Sequence, residues 1–153
     1  PSPFDSSLMT LGLETLSLRV RHEVESARRL AEYCRNHPKV ERVSFVGFES
    51  HPSYANAKKY FRFGSSAVFT IELKGTLDST VRFVESLNLA AHMVMIGDSV
   101  TVVTHPASTT HKQLGDADLA AAGVTPTMLR ISVGLENTDD LIDDFEQAFA
   151  HIG

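Results

Sequence analysis

The stretch TMLRISVGLEN, residues 127–137, places an arginine inside a run that otherwise reads as a β-strand. Side chains alternate faces along a strand, so Leu129, Ile131 and Val133 share one face and Arg130 stands on the other. Two readings of Arg130 follow. In one it is an ordinary cation on the outer face of a half-buried strand, its methylene stem covering apolar surface. In the other its planar, always-charged fork of donors awaits a carboxylate or a phosphate. Periodicity alone leaves both open.

Beyond this strand, TDDLIDDFEQAFAHI from Thr138 has helical spacing, with Leu141, Phe145, Ala148 and Phe149 on one face. Asp139 and Asp140 fall at the positive end of that helix. Before the strand, the spacing predicts strands over VERVSFV (40–46), AVFTIEL (67–73), MVMIG (93–97) and TVVTH (101–105). It also predicts helices near Tyr54–Tyr60, over Thr76–Leu87 with Thr76 or Asp78 as N-cap, and over GDADLAAAG, ending at Gly123. Strands and helices mixed irregularly, with short links, predict an α+β fold: a mainly antiparallel sheet with helices on one face.

The N-terminal segment reads as one long helix. Met9, Leu13, Leu16, Val20, Val24, Ala27, Ala31 and Cys34 recur every three or four residues, with Asp5 or Ser6 as cap and a stop near Asn36 before Pro38. About 30 residues at 1.5 Å each span roughly 45 Å, whereas a compact domain of this size is only about 40 Å across. The helix is therefore expected to project beyond its own domain and to have had something larger against its N-terminal half. Gly12 is the place where it would kink.

Composition narrows the function classes. The chain has 153 residues, of which 42% are hydrophobic, enough for one domain with a real core. Fourteen basic residues against nineteen acidic ones leave a formal charge of −5, without a basic cluster beyond Arg28-Arg29 and Lys58-Lys59, so nucleic acid is not an expected partner. No apolar run approaches the roughly 20 residues of a membrane helix, and the expectation is a cytoplasmic protein without membrane contact. The one cysteine, Cys34, excludes an internal disulfide and reads as a small buried residue on a helix. The sequence opens at Pro1 without a methionine, which keeps a fragment of a longer protein among the readings.

Several constellations were candidates for chemistry. THPASTTH (104–111) sets two histidines among hydroxyls, but no third ligand has the spacing of a zinc site, and no metal is expected. Neither Ser108 nor Ser132 lies in a G-x-S-x-G elbow, and no glycine-rich phosphate loop is present. Asp143-Asp144 reads as part of the solvated face of the last helix. For an enzyme of its own the chain is short of catalytic parts.

Four blocks carry a resemblance that covers almost all 153 residues: SPFDSSLMTLGLETLSLRVRHEVESARRLAEY, HPKVERVSFVGFESHPSYANAKKYF, THPASTTHKQL and AAGVTPTMLRISVGLENTDDLIDDFEQAF. Together they resemble the C-terminal segments of the cysteine and methionine metabolism enzymes that use pyridoxal phosphate, and within these the O-acetylhomoserine sulfhydrylases. The resemblance implies the small C-terminal domain of a fold-type I enzyme, with residues 1–36 as a long connector helix and 37–153 as the α+β domain. The large domain that binds pyridoxal phosphate would be absent from this chain.

Further expectations follow from the resemblance. The family's Schiff-base lysine follows a Ser-x-Thr, and Lys39, Lys58, Lys59, Lys74 and Lys112 lack that context. No catalytic or cofactor-binding residue is therefore expected here, and the chain alone is expected to be inactive and to hold no cofactor. Arg130 matches the family arginine that binds the substrate's α-carboxylate, which favours the second reading of that residue. The parent would make homocysteine or methionine from O-acetylhomoserine and sulfide or a thiol, as a homo-oligomer, tetrameric in the family. Cystathionine γ-synthase and methionine γ-lyase relatives are alternatives, as is a free-standing non-catalytic module. One departure stands out: Met95 in MIGD sits where the family has a polar Asn or Ser, which puts substrate affinity, substrate identity and activity itself in doubt. A lesser one is FRFGSSAVFTIEL, where relatives commonly carry a lysine and glycines.

Overall fold

A computed structural model describes residues 1–152, with the Asp116 side chain left aside. Gly153, the last residue of the expected 37–153 domain, lies outside the described residues. In chain order the elements are α1 (Pro3–Glu14), α2 (Leu16–Asn36), β1 (Val40–Ser44), α3 (Tyr54–Tyr60), β2 (Val68–Leu73), α4 (Leu77–Glu85), β3 (Ala91–His92), β4 (Val102–Thr104), a 3₁₀ turn (Pro106–Ser108), α5 (Asp116–Ala121), β5 (Met128–Ser132) and α6 (Thr138–Ala150).

The five strands form one sheet in the order β1-β2-β5-β4-β3. Only the short β3–β4 pair is parallel, so the expected α+β fold with a mainly antiparallel sheet is what forms. Its middle strand is β5. Phe69 pairs with Ile131 and Ile71 with Leu129 on one side of it, and Val103 pairs with Ile131 on the other. These five side chains are buried on the same face, where Leu30 and Ala31 of α2, Phe83 of α4, and Leu141, Phe145 and Phe149 of α6 close over them. Burying each such residue contributes about 1.5–3 kcal/mol, which makes this face the core of the fold. Phe83 meets Phe145 edge-on at 5.6 Å and Phe149 at 4.7 Å.

Local signals set the helix ends. Thr76 caps α4 and accepts the Ser79 N–H. The Asn137 side chain caps α6 at 2.8 Å from the Asp139 nitrogen, and Lys39 Nζ donates to the Phe149 carbonyl at its far end, at 2.7 Å, where a cation suits the helix dipole. Gly123, at φ 70°, follows α5. Cys34 is buried in the core, and burial pushes its thiol well above the usual range.

Three expectations are corrected. The N-terminal helix is not continuous: it breaks at Thr15 (φ −108°, ψ 2°), not at Gly12, and Ser2 rather than Asp5 or Ser6 is the cap. Arg19 bridges the break, donating to Thr15 Oγ1 at 2.9 Å and to the Gly12 carbonyl at 3.0 Å, so a side chain satisfies a carbonyl that the interruption leaves free. Along the apolar stripe Ala27, Ala31 and Cys34 are buried while Met9, Leu13, Leu16 and Val20 are exposed, so the N-terminal half is the uncovered part, as its length predicts.

MVMIG is not a strand. Strand pairing ends at His92, and Met93 to Ile96 are exposed as the chain leaves the sheet edge and turns at Gly97, φ 77°. Asp144 is not on the solvated face either. It is buried and accepts the backbone N–H groups of Asn88, Leu89 and Ala90 at 2.8, 3.1 and 3.0 Å.

Candidate functional site

With Leu129 and Ile131 committed to the core, Arg130 is directed to the opposite face of β5. Its cross-strand neighbours there are Thr70 of β2 and Thr104 of β4. The segment from Met93 to Thr101 is then stitched back along β5. The Gly97 N–H donates to Ser132 Oγ at 3.2 Å, and the Leu135 N–H to the Ser99 carbonyl at 2.8 Å. Thr101 donates its N–H and its hydroxyl to the Glu136 carboxylate at 2.6 and 2.7 Å, and accepts the Gly134 N–H at 2.9 Å.

This segment reaches the guanidinium. Arg130 Nη2 donates to Thr104 Oγ1 at 3.2 Å and, at a longer 3.4 Å, to the Met95 carbonyl. Nε is buried with no partner. No carboxylate among the described residues forms an ion pair with Arg130. The contrast is Arg42 of β1, whose guanidinium is paired across the sheet with Glu72. A buried donor without an acceptor costs about 1–3 kcal/mol, more when it belongs to a charged group. A guanidinium in that state can take an anion, and a planar carboxylate or a phosphate matches the geometry of its donors.

A cavity of about 390 Å³ lies against the same segment, lined by Arg19, Met95, Ile96, Gly97, Asp98 and Ser99. Arg130 does not line it.

The other sequence candidates do not assemble. His105 is buried and bonds the Pro126 carbonyl through Nε2 at 2.9 Å; a carbonyl only accepts, so Nε2 carries the proton and Nδ1 is left without a partner. His111 faces Thr110 instead, and no three metal-ligating side chains converge among the described residues. Ser108 Oγ lies 3.5 Å from the His105 carbonyl, not against a base. Lys39 and Lys74 are spent on backbone carbonyls, and Lys58, Lys59 and Lys112 are exposed.

Sequence reading missed Thr104 and the Met95 carbonyl. Thr104 could have been found by strand alternation once β4 was paired with β5 in the right register. A main-chain carbonyl on an irregular segment leaves no residue signal.

Comparison with known proteins gives the family of the chain. The family model for the Cys/Met metabolism PLP-dependent enzymes matches residues 1–150. A homocysteine synthase of Schizosaccharomyces pombe is 46% identical over 147 residues, 96% of this chain and 34% of that protein. The O-acetyl-L-homoserine sulfhydrylase 1 of Thermus thermophilus is 43% identical over 148 residues, 97% of this chain and 35% of its own length. A crystal structure of a putative O-acetylhomoserine (thiol)-lyase from Campylobacter jejuni, containing a pyridoxyl-lysine monophosphate, superposes with a TM-score of 0.84 at 36% identity, over 92% of this chain and 33% of that one. The chain thus spans about a third of the length of the relatives it matches. With the fold, nearly the whole sequence and the family model in agreement, the chain belongs to the Cys/Met metabolism PLP-dependent enzymes.

Proposed function

We propose that this chain is the C-terminal, substrate-carboxylate-binding part of a pyridoxal-phosphate-dependent transferase that makes homocysteine or methionine from O-acetylhomoserine and sulfide or a thiol. The observation that carries the reading is Arg130: a half-buried guanidinium with an unpartnered Nε and no carboxylate of its own. Its role is positioning. A charge-assisted pair to the α-carboxylate fixes the orientation of the amino acid before any bond is broken, which converts random encounter into a defined geometry. Sulfhydrylase and homocysteine synthase names among the relatives support the choice of substrate.

The residues present do not fit the cofactor by themselves. Two of the five lysines are held by carbonyls and three are on the surface without a Ser-x-Thr context, so no Schiff base is assigned to this chain and it would be inactive alone. The cofactor would lie in a large domain outside residues 1–153, with residues 1–36 connecting to the domain that starts at residue 37. Exposed apolar residues on the N-terminal helices support this arrangement: Phe4 is 71% and Leu18 65% exposed, and Met93 to Ile96 add a second apolar segment. Patches of this kind mark surfaces that something covers. The covering surface would be the large domain within a homo-oligomer.

The test is an assay of the full-length, cofactor-loaded protein with O-acetylhomoserine and sulfide, read as homocysteine formed. Preference for cysteine as nucleophile would make it a cystathionine γ-synthase, and breakdown of methionine a γ-lyase. The unassigned lysines favour one other reading, a non-catalytic module. It requires a gene product without a large cofactor domain, and the mass of the protein in its natural cells tests that requirement.

A further inference from the structure

Among the described residues a single side chain, that of Thr104, holds Arg130 by a hydrogen bond. A hydroxyl has one hydrogen to give and lone pairs to receive with. Thr104 gives its hydrogen to the Met93 carbonyl at 2.6 Å, so toward Arg130 it can only accept, and it does so from Nη2 at 3.2 Å. Thr104 is 1% exposed, so no bulk water replaces either bond if the hydroxyl is removed.

The same hydroxyl therefore ties three things together: strand β4, the irregular segment that begins at Met93, and the guanidinium. The Met93 N–H adds a 3.3 Å bond to the Val103 carbonyl, which places the Met93 carbonyl above Thr104. Two residues on, the Met95 carbonyl faces Nη2. Nη2 is thus turned toward the protein and Nε is buried, so Nη1, which makes no hydrogen bond to the described residues, is the donor left for a ligand. A long arginine side chain without this anchor would lose its rotamer freedom on meeting its ligand rather than beforehand.

We propose that Thr104 is a positioning residue for substrate binding: its hydroxyl presets the Arg130 guanidinium and the 93–96 segment before the carboxylate arrives. The proposal rests on the reading of Arg130 as the carboxylate clamp. It requires the hydroxyl, not the size of the side chain, and it acts only through Arg130.

The experiment is steady-state kinetics of the full-length enzyme carrying Thr104→Val, Thr104→Ser, Arg130→Ala and the double variant Thr104→Val/Arg130→Ala. Losing one charged hydrogen bond predicts that Thr104→Val raises KM for the amino-acid substrate about tenfold, with a smaller fall in kcat, and that Thr104→Ser restores KM to within about twofold. In the Arg130→Ala background, Thr104→Val should change nothing further. Should Thr104→Val fail to fold, Thr104→Ala is read in its place. A wild-type KM in Thr104→Val, or the same penalty with and without Arg130, overturns the proposal while the Arg130 reading stands. A wild-type KM in Arg130→Ala overturns that reading and the proposal together.

Discussion

Asp144 on α6 accepts the backbone N–H of Ala90 at 3.0 Å, and so fixes the segment that enters β3 onto the last helix. Its carboxylate also takes the Asn88 and Leu89 N–H groups, and Gln147 Nε2 approaches Oδ1 at 3.1 Å. Asp144→Ala would leave three backbone donors without their acceptor.

The expected cost of Asp144→Ala is about 2–4 kcal/mol, since several charge-assisted bonds are lost at a buried position. Asp144→Asn, which keeps one acceptor oxygen, should cost less. Urea denaturation of the three proteins checks the order; equal stability of wild type and Asp144→Ala would contradict it.

Gly134 makes a different demand. A Cβ built there would lie 2.5 Å from the Ser99 oxygen and the Val100 carbonyl carbon, and 2.6 Å from the Thr101 nitrogen, all main-chain atoms that cannot swing aside. Gly134→Ala is expected to destabilise the protein by about 1–3 kcal/mol through overpacking. Because it pushes on the segment that carries the Met95 carbonyl, it should also raise KM in the full-length enzyme. A neutral melt would show that the Ser99–Thr101 segment does not approach Gly134 so closely.

His105 gives stability a pH dependence. Burial pushes its imidazole below the usual 6.5, opposed by the bond to the Pro126 carbonyl and aided by nearby His92. As pH falls past 6.5 the unfolded chain takes up a proton before the folded one does, so the unfolded state binds more protons and stability falls. Above that value the contribution is constant. Thermal melts from roughly pH 7.5 to 5 should therefore show a steeper loss for wild type than for His105→Gln, and parallel curves would count against a buried neutral His105.

Much of this fold is legible in the chain itself. The alternation of Leu129, Ile131 and Val133 and the helical spacing of Leu141, Phe145 and Phe149 each report one buried face, and the core forms where those faces meet. Arg130 was legible for the same reason: a charge between buried residues in a strand must point the other way. Periodicity failed where burial depends on partners that are far away in sequence. Asp144 looked solvated because nothing in DDLIDDFEQ announces three backbone donors from residues 88–90. Met93 to Ile96 looked like a strand because apolar residues were read as buried, whereas here they are exposed beside the sheet edge. The break at Thr15 has no glycine or proline to mark it and is held by Arg19, four residues on.

The central claim is the carboxylate clamp, and kinetics of Arg130→Ala in the full-length enzyme test it most directly. Loss of a charge-assisted pair to the carboxylate, about 3 kcal/mol, predicts a raised KM for O-acetylhomoserine and a fall in kcat/KM of at least about a hundredfold. Wild-type kinetics in that variant would contradict the account and return Arg130 to an ordinary cation on the outer face of its strand.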